Sequence, residues 1–232
     1  MKITYLGHAC FTIEVADKKL IIDPYIKASS QFVGSTWQKA QNPDYILVTH
    51  AHYDHLGDTV ELAKSSGATV LAPPELCRWL AGTEGVEKIY PFSMGSFVTE
   101  SGIEIKMVPA LHGSSIPLAN GNNTYGAISC GFLVKYQNNI LYHAGDTGLF
   151  GDMKLIHELH KPNIGLLPIG GRFTMDIPEA VYACKNFFSF DTVIPMHYNS
   201  LPLLAKIDPK VFQDALPGTA VKILDLGEEV QF

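Results

Sequence analysis

The chain predicts an α/β protein with two packed sheets and helices on their outer faces, from three observations. Short β-patterned runs alternate with helical runs along its 232 residues. The second half repeats the order of elements found in the first. No linker is long or polar enough to part independent units, so 1–232 reads as a single domain.

The elements follow in order. Lys2–Leu6, Cys10–Val15 and Leu20–Ile22 have strand length and pattern, with Asp17-Lys18-Lys19 as the turn between the second and third. Ala28 to Asn42, rich in Ser, Gly and Gln, reads as a loop, and the apolar run Tyr45-Ile46-Leu47-Val48 as a strand. Leu56 to Ser66 is expected to be a helix, with Val60, Leu62 and Ala63 on a partly apolar face and Gly67 as its stop. A strand Thr69–Leu71, a helix opened by Pro73-Pro74 and a strand-rich stretch from Lys88 to Val108 complete the first half.

In the second half, strands Ala127–Tyr136 and Ile140–His143 flank a turn at Gln137-Asn138-Asn139. Helix Asp152–His160, strand Asn163–Leu167, helix Pro178–Phe188, strand Thr192–Pro195 and a helix near Asp208–Ala215 follow. Asp176 and Glu179 have the spacing of a capping box, with Pro178 tolerated in the first turn. Strands Val221–Leu224 and Glu229–Gln231 close the chain.

Composition narrows the function classes. With 47% hydrophobic and 17% charged residues the chain is too apolar for disorder. A net charge of −6 provides no basic face, so a nucleic-acid backbone is not the expected partner. No stretch reaches the apolar length of a membrane span, and Met1 to Leu6 enters a strand pattern without the apolar core of a signal peptide. Cys10, Cys77, Cys130 and Cys184 are dispersed with no C-x-x-C pair; reduced thiols and a cytoplasmic location are expected. Oligomeric state stays open, a homo-oligomer included.

Chemistry concentrates in His50-Ala51-His52-Tyr53-Asp54-His55, directly after the Tyr45–Val48 strand. Three imidazoles and a carboxylate in so short a run point their donors into one small volume beyond the sheet edge. That donor set suits Zn2+ first, with Mn2+, Fe2+ and Ni2+ as alternatives. Further donors stand just past later apolar strands: His112 after Lys106–Pro109, Asp146 after Ile140–Gly145, and His197 after Val193–Met196. Seven donors exceed the needs of one tetrahedral ion, so two divalent cations per chain are expected.

These residues resemble the metallo-β-lactamase superfamily, in the pattern Thr49-His50-x-His52-x-Asp54-His55 followed by a His, an Asp and a final His. The nearer resemblance is to the UPF0173 group of metal-dependent hydrolases, related to the ascorbate-phosphate lactonases. It rests on Gly7-His8-Ala9, Ile21-Ile22-Asp23-Pro24, Leu56-Gly57-Asp58-Thr59, His143-Ala144-Gly145-Asp146-Thr147, Leu149-Phe150, Leu167-Pro168-Ile169-Gly170, Phe173-Thr174-Met175 and Met196-His197-Tyr198-Asn199. It spans nearly the whole chain.

The resemblance implies a four-layer αβ/βα sandwich with the site at the seam of two related halves. One metal would take His50, His52 and His112, the other Asp54, His55 and His197, with Asp146 bridging. Asp23 would hold a ligand imidazole by accepting from its other nitrogen. The implied activity is hydrolysis of a small-molecule ester, lactone or phosphoester by a hydroxide formed between the metals, with Asp54 orienting the water or passing on its proton. A redox di-iron site and a non-catalytic metal-binding protein are the competing readings. His52 stands where the former generally carries Glu, and the full donor set argues against the latter.

Other residues carry weaker expectations. His8 is placed near the site as a substrate contact, with a strand-capping role as the alternative. Arg172 replaces a small polar residue of the group, and Asp176-Ile177 replace Gly-Pro. Arg172 reads either as a clamp on a substrate carboxylate or phosphate, which would make the substrate anionic, or as a surface cation. Tyr198, Asn199 and Tyr125 are placed at the pocket by position alone. His143 reads as structural, and His157 and His160 as a solvated helix face.

Overall fold

The structure, a computed structural model, describes residues 1–118 and 121–232. It opens on an antiparallel meander of β1 (Lys2–Gly7), β2 (Cys10–Val15) and β3 (Lys18–Ile22). The turn between β2 and β3 is Ala16-Asp17 rather than the expected Asp17–Lys19. Ala16 takes φ 53°, and Lys18 and Lys19 pair with Val15 and Glu14. A two-residue turn with positive φ matches the strand twist, so pairing extends into residues that composition alone assigns to a turn.

The segment expected as loop holds helix α1 (Gly34–Ala40), which lies against β1 and buries Thr36 and Ala40. Its tertiary packing outweighs a weak helical pattern. After β4 (Tyr45–Leu47), the expected helix from Leu56 is two: α2 (Tyr53–Leu56), a single turn, and α3 (Thr59–Ser66). Gly57 breaks them at φ +40°, where a Cβ would strike the Pro24 carbonyl and lie 2.7 Å from the Tyr25 Cα. Left-handed Gly67 ends α3 as expected.

Then come β5 (Thr69–Ala72), α4 (Pro74–Gly82), β6 (Ile89–Pro91), β7 (Ser96–Val98) and β8 (Glu104–Pro109). A small hairpin, β9 (Ser115–Pro117) with β10 (Asn123–Tyr125), was not expected; its strands are three residues long, and β10 is exposed throughout. Next are β11 (Cys130–Tyr136), β12 (Asn139–His143), α5 (Met153–His160), β13 (Ile164–Pro168), α6 (Ile177–Asn186), β14 (Thr192–Met196), α7 (Pro209–Asp214), β15 (Ala220–Val221) and β16 (Glu229–Gln231). Positive φ at Ala127 delays β11 to Cys130, and pairing of Asn139 with Tyr136 shortens the next turn to Gln137-Asn138. The strand expected over Val221–Leu224 pairs only as far as Val221. The Asp176–Glu179 capping box opens α6 as expected, with Glu179 N donating to Asp176 Oδ1 over 2.9 Å.

Two seven-stranded sheets result, ordered β16-β1-β2-β3-β4-β5-β6 and β15-β14-β13-β12-β11-β8-β7. Each joins an antiparallel meander to parallel strands, the internal repetition visible in the sequence. The main core joins their faces: Ile3, Phe11, Ile13 and Leu47 from one, Phe132, Val134, Leu166 and Met196 from the other. A second apolar cluster seats α3 and α4 on the first sheet, while Met153, Ile156, Ala180 and Ala183 bring α5 and α6 into the main core. This is the four-layer arrangement. The register makes β8, β12, β13 and β14 run in one direction, so they end at one edge. Among the described residues no helix is long and apolar enough to cross a membrane. All four cysteines are free and buried.

Candidate metal centre

The site assembles at that common edge. β4 ends at Leu47 and leads through Thr49 and His50 to His52, the N-cap of α2, whose single turn buries Asp54 and His55. On the facing sheet, β8 leads to His112, β12 to Asp146 and β14 directly to His197 at φ 56°. Gly170 makes room for the last of these, because a Cβ there would strike the His197 carbonyl oxygen.

Donor atoms gather in three overlapping groups, each within 4.8 Å: His50, His52 and His112; His8, Asp54, His55 and His197; and His50, His55 and Asp146. In the first, His52 Nδ1 lies 3.0 Å from His50 Nε2 and 3.3 Å from His112 Nε2. Asp146 stands between the groups, its oxygens 3.1 Å from His55 Nε2, 3.0 Å from His197 Nε2 and 3.6 Å from His112 Nε2. The structure brings the seven residues singled out from sequence together at this edge, with His8 beside Asp54, His55 and His197.

Electrostatics prepare the two groups differently. Burial drives His50 well below the usual imidazole range and lowers His52 and His112, leaving neutral rings with lone pairs to donate. Burial also takes His8 down to about 4, helped by the neighbouring His197. For His55 burial acts downward, yet Asp146 and then Asp23 outweigh it and hold the ring well above its usual value. Burial opposes ionisation of Asp146 and Asp54. His197 and His55 outweigh it at Asp146, which lies well below the carboxylate range, and His8 and His55 bring Asp54 to about 2. The carboxylates are therefore anionic at neutral pH.

Asp23 and Thr49 fix the ring orientations. Asp23 Oδ2 accepts from His55 Nδ1 at 2.7 Å and from the Thr49 hydroxyl at 2.6 Å, while Oδ1 accepts from Thr49 N–H at 2.8 Å. Because that hydroxyl hydrogen is committed, the Thr49 oxygen can only accept from His50 Nδ1, 3.0 Å away. In the neutral form of each ring the proton then sits on Nδ1, and the lone pair is on the inward-facing Nε2. Thr49 was not singled out as a support from sequence, although its place beside the motif was the available signal. His143 is wholly buried as a structural residue: Nε2 donates to the Ala9 carbonyl at 2.9 Å, and Nδ1 accepts from Gly145 N–H at 3.1 Å, bracing the turn that carries Asp146.

The donor set fits divalent cations. His8 Nε2, His55 Nε2, Asp146 Oδ1 and both His197 nitrogens are buried and make no hydrogen bond. His55 Nε2 and Asp146 Oδ1 are close but not aligned for one. Orphaned buried polar atoms are rare singly, and a convergent set of imidazole nitrogens and carboxylate oxygens is a coordination environment.

Several expected contacts lie elsewhere. A cavity of 340 Å³ opens over His52, Asp54, His112, Asp146 and His197, and its walls are Tyr53, Ser115, Asn123, Phe173, Leu201 and Leu203. His8 is fully buried behind it, bonded through Nδ1 to Ser200 Oγ at 2.6 Å and lying 3.3 Å from Asp54 Oδ2, so it faces the donors rather than substrate. Arg172 is exposed; it donates to the Leu203 carbonyl at 2.9 Å and borders a separate surface hollow. Asn199 clamps Ile207 through both its backbone groups, and Tyr198 packs on the main core. Tyr125 points to solvent from the hairpin that supplies Ser115 and Asn123. His157 and His160 are half-buried rather than solvated, His157 edge-on to Phe188. Sequence reasoning missed the walls because apolar loop residues carry no donor chemistry to mark them.

Protein stripped with a chelator should lose stability as pH falls. An unfolded imidazole binds its proton near pH 6.5, whereas folded His8 does so only at about 4. Across that interval the unfolded chain holds the extra proton, and His50, His52 and His112 act in the same direction. His55 acts oppositely, its contribution being lost as pH rises above 6.5. The urea midpoint of stripped protein should drop steadily from pH 6.5 to 4, and a flat midpoint over that range would refute the neutral-histidine assignment.

Residues 2–197 match the family model described as a beta-lactamase superfamily domain. A UPF0173 metal-dependent hydrolase of Dinoroseobacter shibae is 40% identical over 232 residues, covering 100% of both chains. Another, of Brucella abortus (strain S19), is 40% identical over 97% of this chain and 95% of its own. Among solved structures, Igni18, described as a novel metallo hydrolase from Ignicoccus hospitalis, superposes with a TM-score of 0.85 at 32% identity, covering 100% of this chain and 97% of its own.

Proposed function

As the chain belongs to the beta-lactamase superfamily and to its UPF0173 group of metal-dependent hydrolases, we propose that it cleaves an ester, lactone or phosphoester of a small molecule with water activated by two divalent cations. The observation that carries this is the placement of Asp146 between two groups of histidine and carboxylate donors contributed by both sheets. His50, His52 and His112 would hold one cation, and Asp54, His55 and His197 the other, with Asp146 shared. Zn2+ suits this mixture first, with Mn2+, Fe2+ and Ni2+ as alternatives.

When bound, the pair of cations supplies Lewis acidity that polarises the scissile group and acidifies water toward neutral pH. The chain's own residues do the rest. Asp23 holds His55 directly and His50 through Thr49, so that the Nε2 of each ring faces inward and, once deprotonated, would offer its lone pair there. Asp54, anionic and lining the cavity, would accept the proton that water gives up. Tyr53, Phe173, Leu201 and Leu203 exclude bulk water from one side. Four buried free thiols fit a reducing, cytoplasmic setting.

Protein loaded with Zn2+ or Mn2+ should hold two ions per chain by elemental analysis and hydrolyse members of an ester, lactone and phosphodiester panel. Chelation should abolish that activity and metal should restore it. Rates should rise with pH through neutrality. A saturated sample with at most one ion would refute the two-metal arrangement. No turnover across the panel would refute the reaction class, and oxygen uptake by iron-loaded protein would point to redox chemistry instead.

A further inference from the structure

The walls of the cavity carry an uneven chemistry. Away from the donors stand Tyr53, Phe173, Leu201 and Leu203, and among the described residues the other polar side chains are Ser115 and Asn123, both neutral. Among the described residues no Lys or Arg lines it. Two of the segments that supply these walls share the trait: no Asp, Glu, Lys or Arg occurs between Lys106 and Lys135, the stretch that gives Ser115 and Asn123, or between Asp191 and Lys206, the stretch that gives Leu201 and Leu203, in a chain that is 17% charged. Tyr53, Phe173 and Leu203 are 57%, 44% and 58% exposed. Large apolar side chains held toward water around a concave site mark contact with an apolar ligand.

Arg172, the cation next in sequence to a wall residue, is already occupied. Its Nη1 donates to the Leu203 carbonyl at 2.9 Å, and its guanidinium lies 5.1 Å over the Phe173 ring. It braces two wall residues from behind.

We propose that the substrate arm beyond the scissile group is uncharged and apolar, with Ser115 and Asn123 offering hydrogen bonds to a neutral carbonyl or hydroxyl. This rests on the hydrolase reading above and narrows it to uncharged esters and lactones. A carboxylate or phosphate on that arm would give up its water with no cation to replace it, which is strongly unfavourable.

The test uses two hydroxamates of equal length on zinc-loaded protein, butyrohydroxamic acid ending in a methyl and succinic monohydroxamic acid ending in a carboxylate. Isothermal titration calorimetry should show the methyl-ended ligand binding at least about tenfold more tightly. Leu203→Lys should erase most of that preference, whereas Arg172→Gln should weaken both ligands alike. Equal or tighter binding of the carboxylate-ended ligand, or no measurable binding of the methyl-ended one, overturns the proposal. Selective loss of the carboxylate-ended ligand in Arg172→Gln overturns it too, because Arg172 would then be an anion clamp. Since binding is read without turnover, an inactive substrate panel refutes the reaction class alone. An active panel with a failed hydroxamate preference refutes only the uncharged arm.

Discussion

Replacing Asp146 by alanine is expected to reduce bound metal to one ion per chain or fewer and to lower kcat/KM by more than about a hundredfold. Loss of a residue that merely orients a ligand typically costs 10–100-fold in affinity or activity, and a carboxylate shared between two cations has more to lose. Asp146 reaches His55, His197 and His112 from one position, so its removal leaves neighbouring cations closer to repulsion with less negative charge between them. Elemental analysis and steady-state kinetics would be run on a variant whose far-ultraviolet spectrum matches wild type. His157→Ala is the control, because its ring packs on Phe188 outside the donor groups. Two ions retained in Asp146→Ala, or equal metal loss in His157→Ala, would refute the assignment.

Asp23→Asn should be the next most damaging substitution, although Asp23 would touch neither cation. The new amide oxygen can still accept from Thr49 N–H, but its NH2 would face His55 Nδ1–H, donor against donor, and the Thr49 hydroxyl would lose its acceptor. His55 relieves this only by moving its proton to Nε2, where the lone pair is needed. Metal affinity is expected to fall about 10–100-fold with the fold intact. Asp23→Ala adds a thermodynamic cost of about 3–5 kcal/mol, typical for removing one member of a buried ion pair. Competition with a chromogenic chelator would measure the first effect and urea unfolding the second. Wild-type affinity in Asp23→Asn would mean that the hydrogen bond does not set the His55 tautomer.

The contrast between these residues and the cavity walls explains what the sequence made legible. His50, His52, Asp54 and His55 announce themselves because clustered titratable groups need a reason, and His112, Asp146 and His197 follow because each ends a strongly apolar strand. Asp23 was placed by resemblance. The walls were illegible: Phe173, Leu201 and Leu203 are loop residues whose spacing encodes no period, and Ser115 and Asn123 ride a hairpin whose three-residue strands are too short to show one. Arg172, Tyr198, Asn199 and His8 do not line the cavity, for a common reason. Sequence neighbours of a site residue sit at turns where φ becomes positive, as at His8, Arg172, His197 and Asn199, and each turn redirects the next side chain. Element boundaries failed likewise where single residues governed them, Gly57 splitting one expected helix and Ala16 tightening one hairpin.

Asp146 and its neighbours also bear on the order in which the protein matures. His50 to His55 lie within one short run, whereas His112, Asp146 and His197 come from the opposite sheet, so each cation would tie together stretches of chain that are remote in sequence. In an unfolded chain such a tie closes a long loop, and the entropy of closure is largely independent of how much longer the loop becomes. Capture can therefore begin on the local histidines during synthesis and finish only when β14 delivers His197. A cation lost from the mature protein should loosen the seam between sheets before it loosens either sheet. In hydrogen exchange, the turns carrying Gly145 and Gly170 should gain deuterium first on chelation, while the strands behind them stay protected.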